Sequence, residues 1–116
     1  TKTSLKDFTT TPKDIGEFFQ KLYQGKVISE EHKDELLRLL TKSAFEDWLP
    51  KGIPEEVKIA HKIGKDLGTF SDGGIVFSQE PYVIVVMSKD ARENEANEVL
   101  PKISELVWEW EKSLTD

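Results

Sequence analysis

The hydropathy period of this chain changes twice, from 3.6 residues to 2 and back to 3.6, and a fold must respect both boundaries. In the first stretch, Thr11-Pro12-Lys13-Asp14 reads as a helix start. Thr11 serves as N-cap, Pro12 occupies the first helical position where its missing N–H has no consequence, and Asp14 completes a capping-box-like pair. Ile15, Phe18, Phe19, Leu22 and Tyr23 then share one face, and Gly25 closes the helix. Ser29 caps a second helix with Glu30 and Glu31 in its first turn and Leu36, Leu37, Leu39 and Leu40 on its apolar face. A third, short helical turn is expected over 43–49, placing Ala44, Phe45, Trp48 and Leu49 near the same core before Pro50 stops it.

The first change follows the turn chemistry of Lys51-Gly52-Ile53-Pro54. Val57, Ile59, His61 and Ile63 alternate with Lys58, Ala60 and Lys62, the pattern of a strand covered on one face. Gly73-Gly74 is expected to open a second strand through Ile75, Val76, Phe77 and Ser78, with Gln79-Glu80-Pro81 as a hairpin connection. Tyr82, Val83, Ile84, Val85, Val86 and Met87 form an uninterrupted apolar run, which suits a strand with both faces covered. The helical period returns from about Glu93 to Leu114, with a kink or a later start expected at Pro101 because proline removes a backbone donor. Trp108 and Trp110, two apart, must point to different faces of that helix. The layout is α+β: N-terminal helices over 1–50, a three-stranded antiparallel meander over 51–90 and a C-terminal helix over 91–116, making one domain or part of one.

Composition removes several function classes. With 22 acidic against 16 basic residues the net charge is -6, so the basic stripe of a nucleic-acid binder is missing. The absence of cysteine excludes disulfides, a thiol nucleophile and a thiolate zinc site. No run approaches the roughly 18 apolar residues of a membrane span, and Thr1-Lys2-Thr3-Ser4 lacks the apolar stretch of a signal peptide. His32 and His61 lie in different elements with no acidic partner at a metal-ligand spacing, and there is no phosphate-binding loop, dinucleotide fingerprint or nucleophile elbow. No cofactor is expected.

One segment stands apart: His61-Lys62-Ile63-Gly64-Lys65 at a strand end, followed by Asp72-Gly73-Gly74-Ile75-Val76-Phe77. It resembles the third box of the penicillin-recognising serine hydrolases, above all the class A β-lactamases, in which a Lys-Thr-Gly strand pairs with an Asp-Ala-Gly-Ile-Val-type strand. The order of other segments agrees. The Thr9-Thr10-Thr11-Pro12 run resembles the family's helix start after the active-site loop, and Leu22-Tyr23-Gln24-Gly25 its Leu-Tyr-x-Gly helix end. Leu49-Pro50-Lys51-Gly52-Ile53-Pro54 resembles the lead into the Lys-Thr-Gly strand, Pro81 to Met87 the final strand, and Ile103-Ser104-Glu105-Leu106-Val107-Trp108 the closing helix.

The resemblance implies a C-terminal portion of such a hydrolase, with Lys62, Ile63, Gly64 and Lys65 as the substrate-binding residues. Lys62 would pair with a substrate carboxylate, Gly64 would permit close approach, and the Lys65 N–H would supply one oxyanion donor. Ile63 replaces the family's Thr or Ser, whose hydroxyl binds that carboxylate. The family's nucleophile lies in Ser-x-x-Lys, and no serine here has lysine three residues later, so no catalytic residue is expected in this chain. The ligand implied is a β-lactam or cell-wall peptide, and the family works outside the cytoplasmic membrane. In the family the sheet continues beyond its last strand, so the Tyr82 to Met87 edge calls for a missing N-terminal segment or for self-association. A non-catalytic interaction module using that edge is the alternative reading. Neither nucleic acid nor membrane is expected as a partner.

Overall fold

The structure, a computed structural model, describes residues 9–115. The polar start at Thr1 to Ser4 lies outside them. Helix α1 (Pro12–Tyr23) begins as its sequence dictates: the Thr11 hydroxyl accepts a hydrogen bond from the Asp14 N–H at 3.1 Å. Helix α2 (Glu30–Thr41) starts at Ser29, whose hydroxyl accepts from the His32 N–H. Three strands follow, β1 (Ile59–Asp66), β2 (Thr69–Val76) and β3 (Tyr82–Ser88), in the antiparallel order β1-β2-β3. Helix α3 (Glu93–Thr115) closes the described chain.

The register pairs Lys62 with Gly73, Gly73 with Val85, Gly64 with Ser71 and Ser71 with Met87. Because side chains alternate across a strand, these rows share one face, the one on which α1 and α2 pack. There Phe19 and Leu22 bury against Ile75, with Leu36, Leu37, Leu40 and Val83 around them. The opposite face carries Ile59, Val76 and Ile84, packed with Leu49 and Ile53, and beside them a second cluster of Trp48, Phe70, Ala96 and Leu100. Both helical layers therefore meet one sheet, and the two faces have different owners.

Three expectations change. The turn expected over 43–49 is instead a 3₁₀ turn over Leu49–Gly52, with Pro50 inside it. Its amides have other partners: Trp48 is fully buried, its Nε1–H donates to Asn97 Oδ1 at 2.8 Å, and the Leu49 N–H donates to Asp72 Oδ2 at 3.0 Å. A helix ending at Leu49 would need that same N–H for a carbonyl one turn back. Strand β1 lies later than the alternation implied, and β2 starts at Thr69, so Gly73 and Gly74 sit inside it. The β1–β2 connection is the two-residue turn Leu67-Gly68, with φ of 34° and 81°, the doubly positive geometry that suits the right-handed twist of a hairpin. Helix α3 begins at Glu93, where the helical period returns in the sequence, and runs on through Pro101, so the later start at Pro101 does not occur. Trp108 packs against the Leu49 cluster while Trp110 stays 59% exposed, as their spacing requires.

Candidate functional site at the open edge of β1

Among the described residues strand β1 pairs with β2 on one side only, so half of its backbone polar groups face away from the sheet. The phase of the ladder decides which half. The Phe77 N–H donates to Lys58 O at 2.9 Å, marking 58 and 77 as a hydrogen-bonded pair. Such pairs recur every second residue in an antiparallel ladder, so Lys62 and Gly64 direct N–H and C=O toward β2. The N–H groups of Ile63 and Lys65 point outward from the free edge.

Side chains divide the other way. Lys62 is exposed on the α1–α2 face beside Gly73, and Gly64 faces Ser71. A cavity of about 350 Å³ opens there, walled by Phe18, Phe19, Leu36, Leu40, Val85 and Met87, with Lys62 as its cation. Among the described residues no ion pair forms to the Lys62 ammonium. Ile63 lies on the opposite face, half-buried against the Trp48–Phe70 cluster. Lys65 shares that face: its Nζ meets Glu93 Oε1 at 2.6 Å and lies 4.7 Å from the Phe45 ring centroid and 5.5 Å from that of Trp48. Its charge is thus engaged, while its N–H remains directed to the edge. The four residues singled out in the sequence form one continuous stretch, with the Lys62 side chain on one face, those of Ile63 and Lys65 on the other, and two amides at the rim.

The structure adds a pair that sequence reasoning missed. His61 and Asp72 are 3% and 1% exposed, and Nδ1 of the imidazole lies 2.7 Å from Asp72 Oδ1. Asp72 Oδ2 accepts from the Leu49 N–H, and Leu49 O in turn accepts from the Ser104 hydroxyl at 2.7 Å. With Asp72 ionised and both oxygens accepting, the network assigns a hydrogen to His61 Nδ1. One buried carboxylate so joins β1, β2 and the 3₁₀ turn, and the turn in turn is tied to α3. A signal was available: the Asp72 spacing from His61 is the one a tight hairpin closing at Leu67-Gly68 would bring together. His32, by contrast, stays at the surface beside Ser29. Among the described residues no group of three or more His, Asp or Glu side chains could hold a metal ion, and no helix is long and apolar enough to cross a membrane.

This arrangement, a Lys-x-Gly edge strand backed by an antiparallel partner and flanked by helices, matches known proteins. A sequence model of the β-lactamase enzyme family, Beta-lactamase2, covers residues 1–110. The chain belongs to the β-lactamase enzyme family. Among solved structures it resembles PBP-A at 25% identity and a TM-score of 0.86, covering 97% of this chain and 45% of that one. A PBP-A mutant captured as its acyl-enzyme with penicillin G matches at 26% identity and a TM-score of 0.85, over 93% of this chain and 42% of that one. A β-lactamase from Burkholderia vietnamiensis shares the fold at 22% identity and a TM-score of 0.80, over 91% and 41% of the two chains. This member of the β-lactamase family spans less than half the length of these structures. The α+β layout read from the sequence is the fold of that shared part.

Proposed function

We propose that this chain supplies the substrate-recognition strand of a penicillin-recognising serine hydrolase, acting on a β-lactam or related amide, and that the nucleophile comes from outside the described residues. The open edge of β1 is the observation that carries this reading. A substrate lying along it meets the Lys62 ammonium on one face and the outward N–H of Lys65 at the rim. In acyl transfer a serine oxygen attacks the amide carbonyl, the carbonyl oxygen gains negative charge, and preorganised N–H donors stabilise it. The Lys65 N–H suits that role because the ladder holds its strand and, among the described residues, no strand lies beyond it. Lys62 suits a carboxylate, since a cation beside an apolar wall attracts an anion more strongly than one in open water. With no Ser-x-x-Lys in its sequence, the chain by itself binds but does not turn over substrate.

Two measurements test this. Titration of penicillin G should shift the amide resonances of Ile63 and Lys65, and Lys62→Met should abolish the shift. Steady hydrolysis of a chromogenic cephalosporin by the purified chain would overturn the statement that the nucleophile lies elsewhere.

A second reading, a protein-interaction module, draws support from other surfaces. Among the described residues no strand pairs with the outer side of β3, and Val99, Leu106, Trp110 and Leu114 form an exposed apolar flank along α3. The portion of the relatives that this chain does not span is one candidate to cover them, and a second copy is the other. Sedimentation decides between them: a dimer lost on substitution of Val83 or Val85 by proline favours self-association, and a concentration-independent monomer argues against it.

A further inference from the structure

We infer that the His61–Asp72 pair is a positioning latch for the Lys62 to Lys65 edge, an inference that deepens the proposed function and rests on it for its ligand. An edge strand is held by one ladder only, so its outer amides move with any twist or fraying of that ladder. A recognition strand needs its donors fixed to about half an ångström. On β1 this is achieved from behind. His61 immediately precedes Lys62 and points to the opposite face, where its ring meets Asp72 of β2 at 2.7 Å. Asp72 continues to the Leu49 amide, and Leu49 to Ser104 of α3. The strand is thereby tied, just before Lys62, to the 3₁₀ turn and through it to α3, in addition to its ladder with β2.

Gly74 gives an independent indication that this spacing is built in. It lies opposite His61 in the register, and a Cβ there would overlap Ala60 O and fall 2.7 Å from His61 Cα. Only a residue without a side chain lets β1 approach so closely at this point. The latch and the glycine therefore set the same approach of β1 to β2, one by attraction and the other by leaving room.

The test uses two variants of the full chain. In His61→Asn the amide nitrogen stands where Nδ1 stands and can still donate to Asp72, whereas His61→Leu keeps apolar bulk and removes the donor. Hydrogen exchange reads the strand without any ligand. The latch predicts that the Lys62 and Gly64 amides exchange about tenfold faster in His61→Leu and near the wild-type rate in His61→Asn, with the β2–β3 ladder unchanged. Equal acceleration along every strand would mean a merely global loss of stability and would overturn the latch. The same variants titrated with penicillin G should show a weakening of about ten- to a hundredfold for leucine and nearly full affinity for asparagine. Undiminished affinity in His61→Leu also overturns it. If the wild type itself ignores penicillin G, the proposed ligand fails, and the exchange experiment still decides the latch.

Discussion

Replacing Asp72 by alanine probes the most connected side chain of this fold, and the expected loss can be worked out from its partners. Two donors, the Leu49 N–H at 3.0 Å and His61 Nδ1–H at 2.7 Å, lose their acceptor, and both residues are buried. A buried donor left unsatisfied costs about 1–3 kcal/mol. Two of them, less the desolvation that the absent carboxylate no longer suffers, give about 3–4 kcal/mol. A domain of this length has a total stability of roughly 6–17 kcal/mol, so the variant should fold with a midpoint lower by roughly 10–20 °C. Asp72→Asn should fall between, at about 1–2 kcal/mol. Its carbonyl can still accept from Leu49, and its amide can donate to His61 once the imidazole moves its hydrogen to the other nitrogen. Urea unfolding followed by tryptophan fluorescence measures all three proteins, with the exposed Asp47→Ala as a control expected within about 0.5 kcal/mol of wild type. An alanine variant within about 1 kcal/mol of wild type, or equal losses for alanine and asparagine, would refute the account of a shared buried acceptor.

Two further perturbations test the layers on that face. Gly52→Ala places a Cβ 2.6 Å from both Glu105 N and Ser104 Cβ, and nearer still to Pro101 O, so the 3₁₀ turn must lift from α3. Calorimetry should show a loss of about 2 kcal/mol, and an unchanged midpoint would contradict the close approach. Tyr82 has its hydroxyl buried with no hydrogen-bond partner among the described residues, and burial, aided by the Glu111 carboxylate, pushes its pKa up to about 12. The unfolded phenol ionises first, so as pH rises from about 10 to about 12 the unfolded state holds fewer protons and stability falls. Tyr82→Phe should remove that alkaline component of the stability profile, and an identical profile in the two proteins would refute it.

The parts of the fold readable from sequence are those decided locally. The Thr11 and Ser29 caps, the apolar stripe of α1 and the hydrophobic run of β3 each depend on neighbours within one turn or one strand. The conformation of residues 43–49 was not readable because its geometry is set by distant partners: Leu49 gives its amide to Asp72, and Trp48 its indole to Asn97. The glycine pair misled for a related reason. Gly73 and Gly74 invite a turn, yet Gly73 sits under Val85 and Gly74 makes room for His61, so both belong mid-strand. The actual turn holds Leu67 at positive φ, a position that sequence rules assign to Asn, Asp or Gly. The Lys62 to Lys65 stretch was found through its motif, but the division of its side chains between two faces, and the outward aim of the Lys65 N–H, required the ladder phase. Hidden with them was the buried acceptor for His61.

Ile63 shows why a substitution at such a strand affects two properties at once. Its side chain does not share the Lys62 face; it lies half-buried on the Trp48–Phe70 cluster, while its amide points to the rim. Ile63→Thr would replace a terminal ethyl group and a methyl by a methyl and a hydroxyl, removing apolar contact from that cluster. At about 0.8 kcal/mol per buried methylene, discounted for partial exposure, the loss should be about 1 kcal/mol. In exchange the substitution would restore the hydroxyl that the family carries at this place; because residue 63 and Lys62 sit on opposite faces, a carboxylate that meets both would have to lie across the rim, beside the outward amides. If β1 is a carboxylate-recognition strand, Ile63→Thr should lower the urea midpoint slightly and tighten penicillin G binding by about tenfold, the value of one added hydrogen bond to a charged group. Loss of stability without gain in binding would place the substrate elsewhere than along this edge. A gain in both would mean that Ile63 contributes nothing to the Trp48 cluster and that the assignment of faces is wrong.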